Sequence, residues 1–177
     1  MAEAIKLREK NDNRIPYPKG SLHTSHGMHK RIEEIKGVVA VLSSLYLALS
    51  LFSYDKWEKS LFTFSKTPAG NYGGIAGAYI SDAVISLVGL SGYLIPVLLV
   101  IYGIRRILGK ERNVAHVLGT AIFLPSLSML FHLISKTIPL IIDPPGGLAG
   151  LLLANLFEGL LSSIGAYILS IALVLVS

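Results

Sequence analysis

Cysteine is absent from the 177 residues. That excludes a disulfide framework, a thiolate metal site and a cysteine nucleophile. Charge is scarce. Asp, Glu, Lys and Arg make up 15% of the chain, where soluble domains carry about 25%. No G-x-x-x-x-G-K-[ST] segment occurs, so this chain does not hydrolyse ATP through a phosphate loop. No histidine has a carboxylate partner placed for nucleophilic catalysis. What the chain has instead is long uncharged stretches, a mean hydropathy of +0.60 and a net charge of +5. A basic balance points to nucleic acid in a soluble protein. In a membrane chain it reflects Lys and Arg in cytoplasmic loops, and that reading is preferred here.

Residues 1–36 are polar and hold eight of the sixteen Lys and Arg. Residues 1–30 contain Asn11-Asp12-Asn13, Pro16, Pro18 and Gly20 and show no sustained apolar period. They read as a disordered basic cytoplasmic tail. His23-x-x-His26-x-x-His29 has metal-like spacing, but an unstructured tail lacks the fixed geometry a metal site needs, and no metal is expected.

Crossing about 30 Å of hydrocarbon takes roughly 20 apolar residues. Four runs qualify within a membrane domain at 31–177, with spans at about 37–53, 83–104, 114–134 and 157–177. Ala48-Leu49-Ser50 resembles a cleavage site, but the upstream segment is too long for a signal-peptide n-region, so an uncleaved anchor is expected. The fold class is therefore all-α: a polytopic membrane protein of four transmembrane helices. Twelve Lys and Arg fall before the first span and in the Arg105–Arg112 loop, and four fall in the other two loops. The positive-inside rule then predicts cytoplasmic N- and C-termini. The loop at Tyr54–Tyr72, with Tyr54, Trp57, Phe62 and Phe64, is expected outside as an interfacial belt or short helix. Asp143-Pro144-Pro145-Gly146 breaks the chain ahead of the last span.

Gly73-Gly74-Ile75-Ala76-Gly77 opens the stretch holding the second span, and Gly146-Gly147-Leu148-Ala149-Gly150 opens the stretch holding the fourth. At the same offset Gly92 matches Gly165, Asp82 faces Asn155, and Tyr93 and Tyr167 are close to register. The pattern predicts two repeated hairpins. Gly73, Gly74, Gly77, Gly146, Gly147 and Gly150 serve either tight turns or small-xxx-small helix packing. Asp82 and Glu158 are the acids inside these stretches. Counting back from Arg105 and forward to Ser177 puts both near the outer interface. There they suit helix N-termini, where the macrodipole favours negative charge, better than a midplane transport site. Pro96 and Pro125 are expected to kink the second and third spans. His116 and His132 lie near the ends of the third.

Asn71–Asp82, then Gly89, Tyr93-Leu94-Ile95-Pro96, Arg105-Arg106 and Gly146–Gly150 together resemble the N-terminal membrane domain of the FtsK/SpoIIIE translocases. Ser53-Tyr54-Asp55 is similar to the end of that family's first helix. The resemblance runs from about Arg31 to Ser177 and implies a multi-pass protein of the bacterial inner membrane at the division septum. It implies partners in the lipid bilayer and among septum proteins, with Tyr54–Tyr72, including Trp57, the candidate contact segment or else a plain solvated connector. In that family a cytoplasmic hexameric motor carries ATP, Mg and DNA binding and drives homo-oligomerisation. None of that is in this chain, which is itself expected to hold no cofactor and to be no enzyme. The apolar ending Ile171–Ser177 reads as a boundary within a longer protein. The alternative function is a small transporter or channel subunit built from a duplicated helical hairpin.

Overall fold

The computed structural model describes residues 21–56, 70–110, 114–138 and 144–177. All regular structure among them is helical: α1 (Ser21–Phe52), α2 (Gly74–Val88), a 3-10 segment (Gly89–Tyr93), α3 (Leu94–Ile107), α4 (Val114–Ser135) and α5 (Gly147–Val176). Four stretches are long and apolar enough to cross a membrane: Lys30–Phe52, Gly74–Ile107, Val117–Ser135 and Gly147–Val176.

Helix α1 starts earlier than the tail predicted at 1–30. Its backbone is helical from Ser21, and residues 1–20 lie outside the described residues. The last tail prolines, Pro16 and Pro18, precede this start. From there helix propagates from an already formed turn, which needs no new nucleus. His23, His26 and His29 fall on this backbone, and their side chains lie outside those described.

α1 pairs along its length with α3, and α4 pairs with α5. The α1–α3 crossing is tight because two glycines meet. A Cβ at Gly37 would stand 2.7 Å from the Gly103 carbonyl oxygen, and one at Gly103 would stand 2.7 Å from that of Gly37. Helix α2 behaves differently. At fifteen residues it is about 22 Å long, and it meets the last turns of α1 at Tyr46, Leu47, Ser50 and Leu51 and, just past that helix, Tyr54. It therefore runs across the end of α1, not beside it. The first half of α5 does the same to α4. Gly146 and Gly150 lie on Ser128 and His132, Ala154 packs with Met129 and Leu133, and Glu158 reaches Lys136.

After each crossing segment the backbone breaks. Gly89 has φ 63 and ψ −139, and Ser162 has φ 63 and ψ 166. Beyond the break the chain turns back along its partner. The helices thus begin at Gly74 and Gly147, well before the spans expected from 83 and 157, and are divided at 89 and 162. Pro96 does not make the first break. It sits in the opening turn of α3, where its missing N–H has no intrahelical partner to lose. Gly89, free of a Cβ, supplies the conformation instead. Pro125 lies inside α4.

The core is small and split between the hairpins. Leu47, Leu51 and Ile85 form one cluster; Met129, Leu133, Ala154 and Ala166 form the other. Most large apolar side chains point outward: Leu42 is 61% exposed and Ile164 75%. In water so much exposed apolar surface invites association; in a bilayer it meets lipid tails. Inside, the packing surface is rich in small residues, as helix association in lipid requires.

Candidate functional site

The crossing end of the bundle concentrates the polar chemistry. Asn71 is buried there. Its Nδ2 donates to the Ser50 carbonyl at 2.9 Å and, more weakly, to the Ser53 carbonyl at 3.4 Å. Its Oδ1 accepts the Gly73 N–H at 2.9 Å. One side chain thus satisfies carbonyls at the end of α1 and an amide at the start of α2, groups that helix ends otherwise leave unpaired. Gly73 and Gly77 make room for it. A Cβ on Gly77 would stand 2.5 Å from Asn71 Oδ1, and one on Gly73 would stand 2.3 Å from Ser50 Oγ. The Tyr46 hydroxyl donates to the Gly73 carbonyl at 2.8 Å.

Gly74 and Gly147 sit at equivalent places, the first residue of α2 and of α5. Their φ values are +66 and +58, so both turns need the left-handed region that glycine enters without steric cost. The glycine motifs therefore act first as turns. Gly146 and Gly150 also bring α5 onto α4, where a Cβ at either would stand 2.3 Å from the Ser128 carbonyl oxygen.

Asp82 and Glu158 are not held by helix dipoles. Neither helix has an acidic residue in its first turn, and the dipole effect fades beyond it. Each carboxylate instead meets a side chain just past the end of the preceding helix. Asp82 is buried and accepts from the Tyr54 hydroxyl at 3.3 Å. Burial, and then the Asp82 charge, push the Tyr54 hydroxyl up to about 12. Glu158 pairs with Lys136 and accepts from Ser163 Oγ at 3.2 Å. The parallel goes further. Tyr93 donates to the Leu51 carbonyl at 3.2 Å, and Tyr167 donates to the Leu133 carbonyl at 2.6 Å. Tyr54 lies three residues after Leu51, and Lys136 three after Leu133.

The hairpins join where both chains are irregular. The Leu90 N–H donates to the Pro145 carbonyl at 2.8 Å. The Val88 carbonyl, at the cap of the 3-10 segment, accepts Ser91 Oγ at 2.7 Å and Ser128 Oγ at 3.0 Å. Ser91 and Ser128 are themselves 2.6 Å apart, Oγ to Oγ. Broken helix inside a membrane protein is tolerated where protein groups satisfy the freed backbone, as they do here. Sequence reasoning missed Asn71, Ser91 and Ser128 as a group. Serine and asparagine carry no signal of their own until the chain brings their neighbours close.

Of the residues singled out from sequence, Gly73, Gly74, Gly77, Asp82, Gly146, Gly147, Gly150 and Glu158 all lie at this crossing end. Gly147 meets Gly89 in the seam between the hairpins: a Cβ on it would stand 2.6 Å from the Gly89 nitrogen. Pro96 lies one step along α3, its carbonyl accepting Ser44 Oγ at 2.7 Å. Trp57 and most of the Tyr54–Tyr72 loop fall outside the described residues. Among those described, no group of His, Asp and Glu is placed to hold a metal ion.

Residues 29–177 match the 4TM region of DNA translocase FtsK/SpoIIIE. The chain belongs to this family. The FtsK/SpoIIIE membrane region accounts for the four membrane-crossing stretches and contains no motor. A DNA translocase FtsK from Rickettsia prowazekii (strain Madrid E) is 26% identical over 125 residues, covering 71% of this chain and 17% of that protein. The chain thus spans less than a fifth of that relative's length. No solved structure matches it.

Proposed function

We propose that this chain is the membrane-anchoring and assembly region of a bacterial DNA translocase that acts in cell division and chromosome segregation. The observation that carries the reading is the family match over 29–177, joined to four lipid-compatible helices. The distribution of Lys and Arg supports cytoplasmic termini, which would release a following motor on the side of the DNA. ATP, Mg and DNA belong to that motor, and it is the motor that would draw copies of this chain together. Division proteins at the septum are the expected partners of the region itself. Asp82, bonded to Tyr54, and Glu158, paired with Lys136, are both engaged at the crossing end, which weighs against the transporter reading.

A fluorescent fusion of the full-length protein tests this. It should gather at midcell in dividing cells. Even fluorescence around the whole envelope would remove the septal part of the proposal.

A further inference from the structure

The two hairpins meet through one asymmetric seam. The break of the first hairpin lies against the turn that opens α5 in the second. A Cβ on Gly89 would stand 2.2 Å from the Pro145 carbonyl oxygen, and one on Gly147 would stand 2.6 Å from the Gly89 nitrogen. The Leu90 N–H closes the contact on the Pro145 carbonyl at 2.8 Å.

The repeat supplies both halves of this seam a second time. The offset that takes Gly74 to Gly147 also takes Tyr72 to Pro145 and Gly89 to Ser162. The backbone shape is repeated with the place. Gly74 and Gly147 have φ +66 and +58, and Gly89 and Ser162 both have φ 63. Yet the second pair of halves is not joined. Among the described residues nothing stands within 4 Å of a Cβ on Gly74. Tyr72 is 78% exposed, and Ser162 and Ser163 are exposed as well. Two hairpins related by a closed two-fold axis would use both seams within one chain. Here one seam is filled, and its two unmatched halves lie open on different hairpins.

We infer that the break at Ser162 of one copy docks on the turn at Tyr72–Gly74 of a second copy, repeating between chains the seam that Gly89 and Gly147 make within one. The contact is heterologous, joining unlike faces head to tail. Both α1 and α4 run toward the crossing end, so the hairpins are parallel repeats, and the axis that relates them follows the membrane normal. The second copy therefore lies in the same bilayer with the same orientation. One difference sets the depth of the contact. Ser162 carries a side chain where Gly89 has none, and at full depth its Cβ would run into the Tyr72 carbonyl of the second copy, as a Cβ on Gly89 would into that of Pro145. The copies stop short of that depth, and the Ser162 hydroxyl donates to the carbonyl across the gap. The contact between copies is thus shallower than the seam within one and separates before it. It is independent of any assembly through a motor.

Disulfide trapping tests this, since the native sequence has no cysteine. Two differently tagged forms of the chain are co-expressed in one membrane, one with Ser162→Cys and the other with Tyr72→Cys. Mild oxidation should join the two tags in one disulfide-linked dimer. Neither form expressed alone should dimerise, because each then offers a thiol on only one half of the seam. Gly74→Asn, added to the Tyr72→Cys form, is the second variant. Asparagine enters the left-handed region more readily than other residues with side chains, and within one chain it extends into open space, so helicity by circular dichroism should be kept. At the seam it would meet backbone, as a Cβ on Gly147 would meet that of Leu87 at 2.6 Å. The yield of mixed disulfide should then fall roughly tenfold, the effect of modest overpacking. No mixed disulfide, equal dimer from either form alone, or a yield untouched by Gly74→Asn would each overturn the inference.

Discussion

The carboxamide of Asn71 joins the end of α1 to the start of α2, donating to the Ser50 and Ser53 carbonyls and accepting from the Gly73 amide. Replacing it by alanine strands these groups in a buried site, at about 1–3 kcal/mol. Asn71→Ala should therefore lower the thermal midpoint in detergent, and Asn71→Asp should lower it further, because it sets a buried carboxylate oxygen against the Ser50 and Ser53 carbonyl oxygens. Tyr54 gives a pH signature. Its hydroxyl sits above the ordinary value near 10, pushed to about 12 by burial and by Asp82. The folded state thus prefers the protonated phenol. The stability this contributes is complete below pH 10 and is lost as pH climbs through about 12. Alkaline unfolding should shift to higher pH in Tyr54→Phe, which cannot ionise. An unchanged alkaline midpoint would show that Tyr54 does not couple to folding.

Each hairpin repeats one element: a span, a helix that crosses its end, a break at positive φ, and a returning span. The two breaks, at Gly89 and Ser162, are separated by the same offset as Gly74 and Gly147, and all four have positive φ. The first break uses glycine, and the second forces serine into a region that is close to glycine-only. Ser162→Gly should relieve that strain and raise stability by about 1 kcal/mol, read as an increased thermal midpoint. The reverse change at the first break should be severe. A Cβ on Gly89 would stand 2.2 Å from the Pro145 carbonyl oxygen, and backbone cannot move aside as a side chain does. Gly89→Ala should cost about 3 kcal/mol and loosen the contact between hairpins. If both substitutions shift the midpoint alike, the breaks are not equivalent devices.

The whole molecule is a thin bundle whose interior holds glycine, serine and two small apolar clusters, with most of its large side chains turned to lipid. Such a protein depends on close backbone approach more than on volume packed in a core. Its orientation has a direct test, because the native sequence has no cysteine. Single-cysteine variants Ser60→Cys and Leu108→Cys should label from opposite faces of the membrane, position 60 from outside and position 108 from the cytoplasm. Labelling of both from one face would break the even count of crossings.

The fold class and the number of membrane stretches were legible in the sequence, because an apolar run of membrane length has one low-energy fate in lipid. The glycine repeat was legible as well, since the turns at Gly74 and Gly147 demand a residue without a Cβ. The pairs Tyr54 with Asp82, Lys136 with Glu158 and Ser91 with Ser128 were not. Their members lie 28, 22 and 37 residues apart, and local pattern carries no information over such distances. The bend at Ser162, with φ 63 and ψ 166, was hidden for a different reason: serine is an ordinary helix residue, and nothing in its type announces a break.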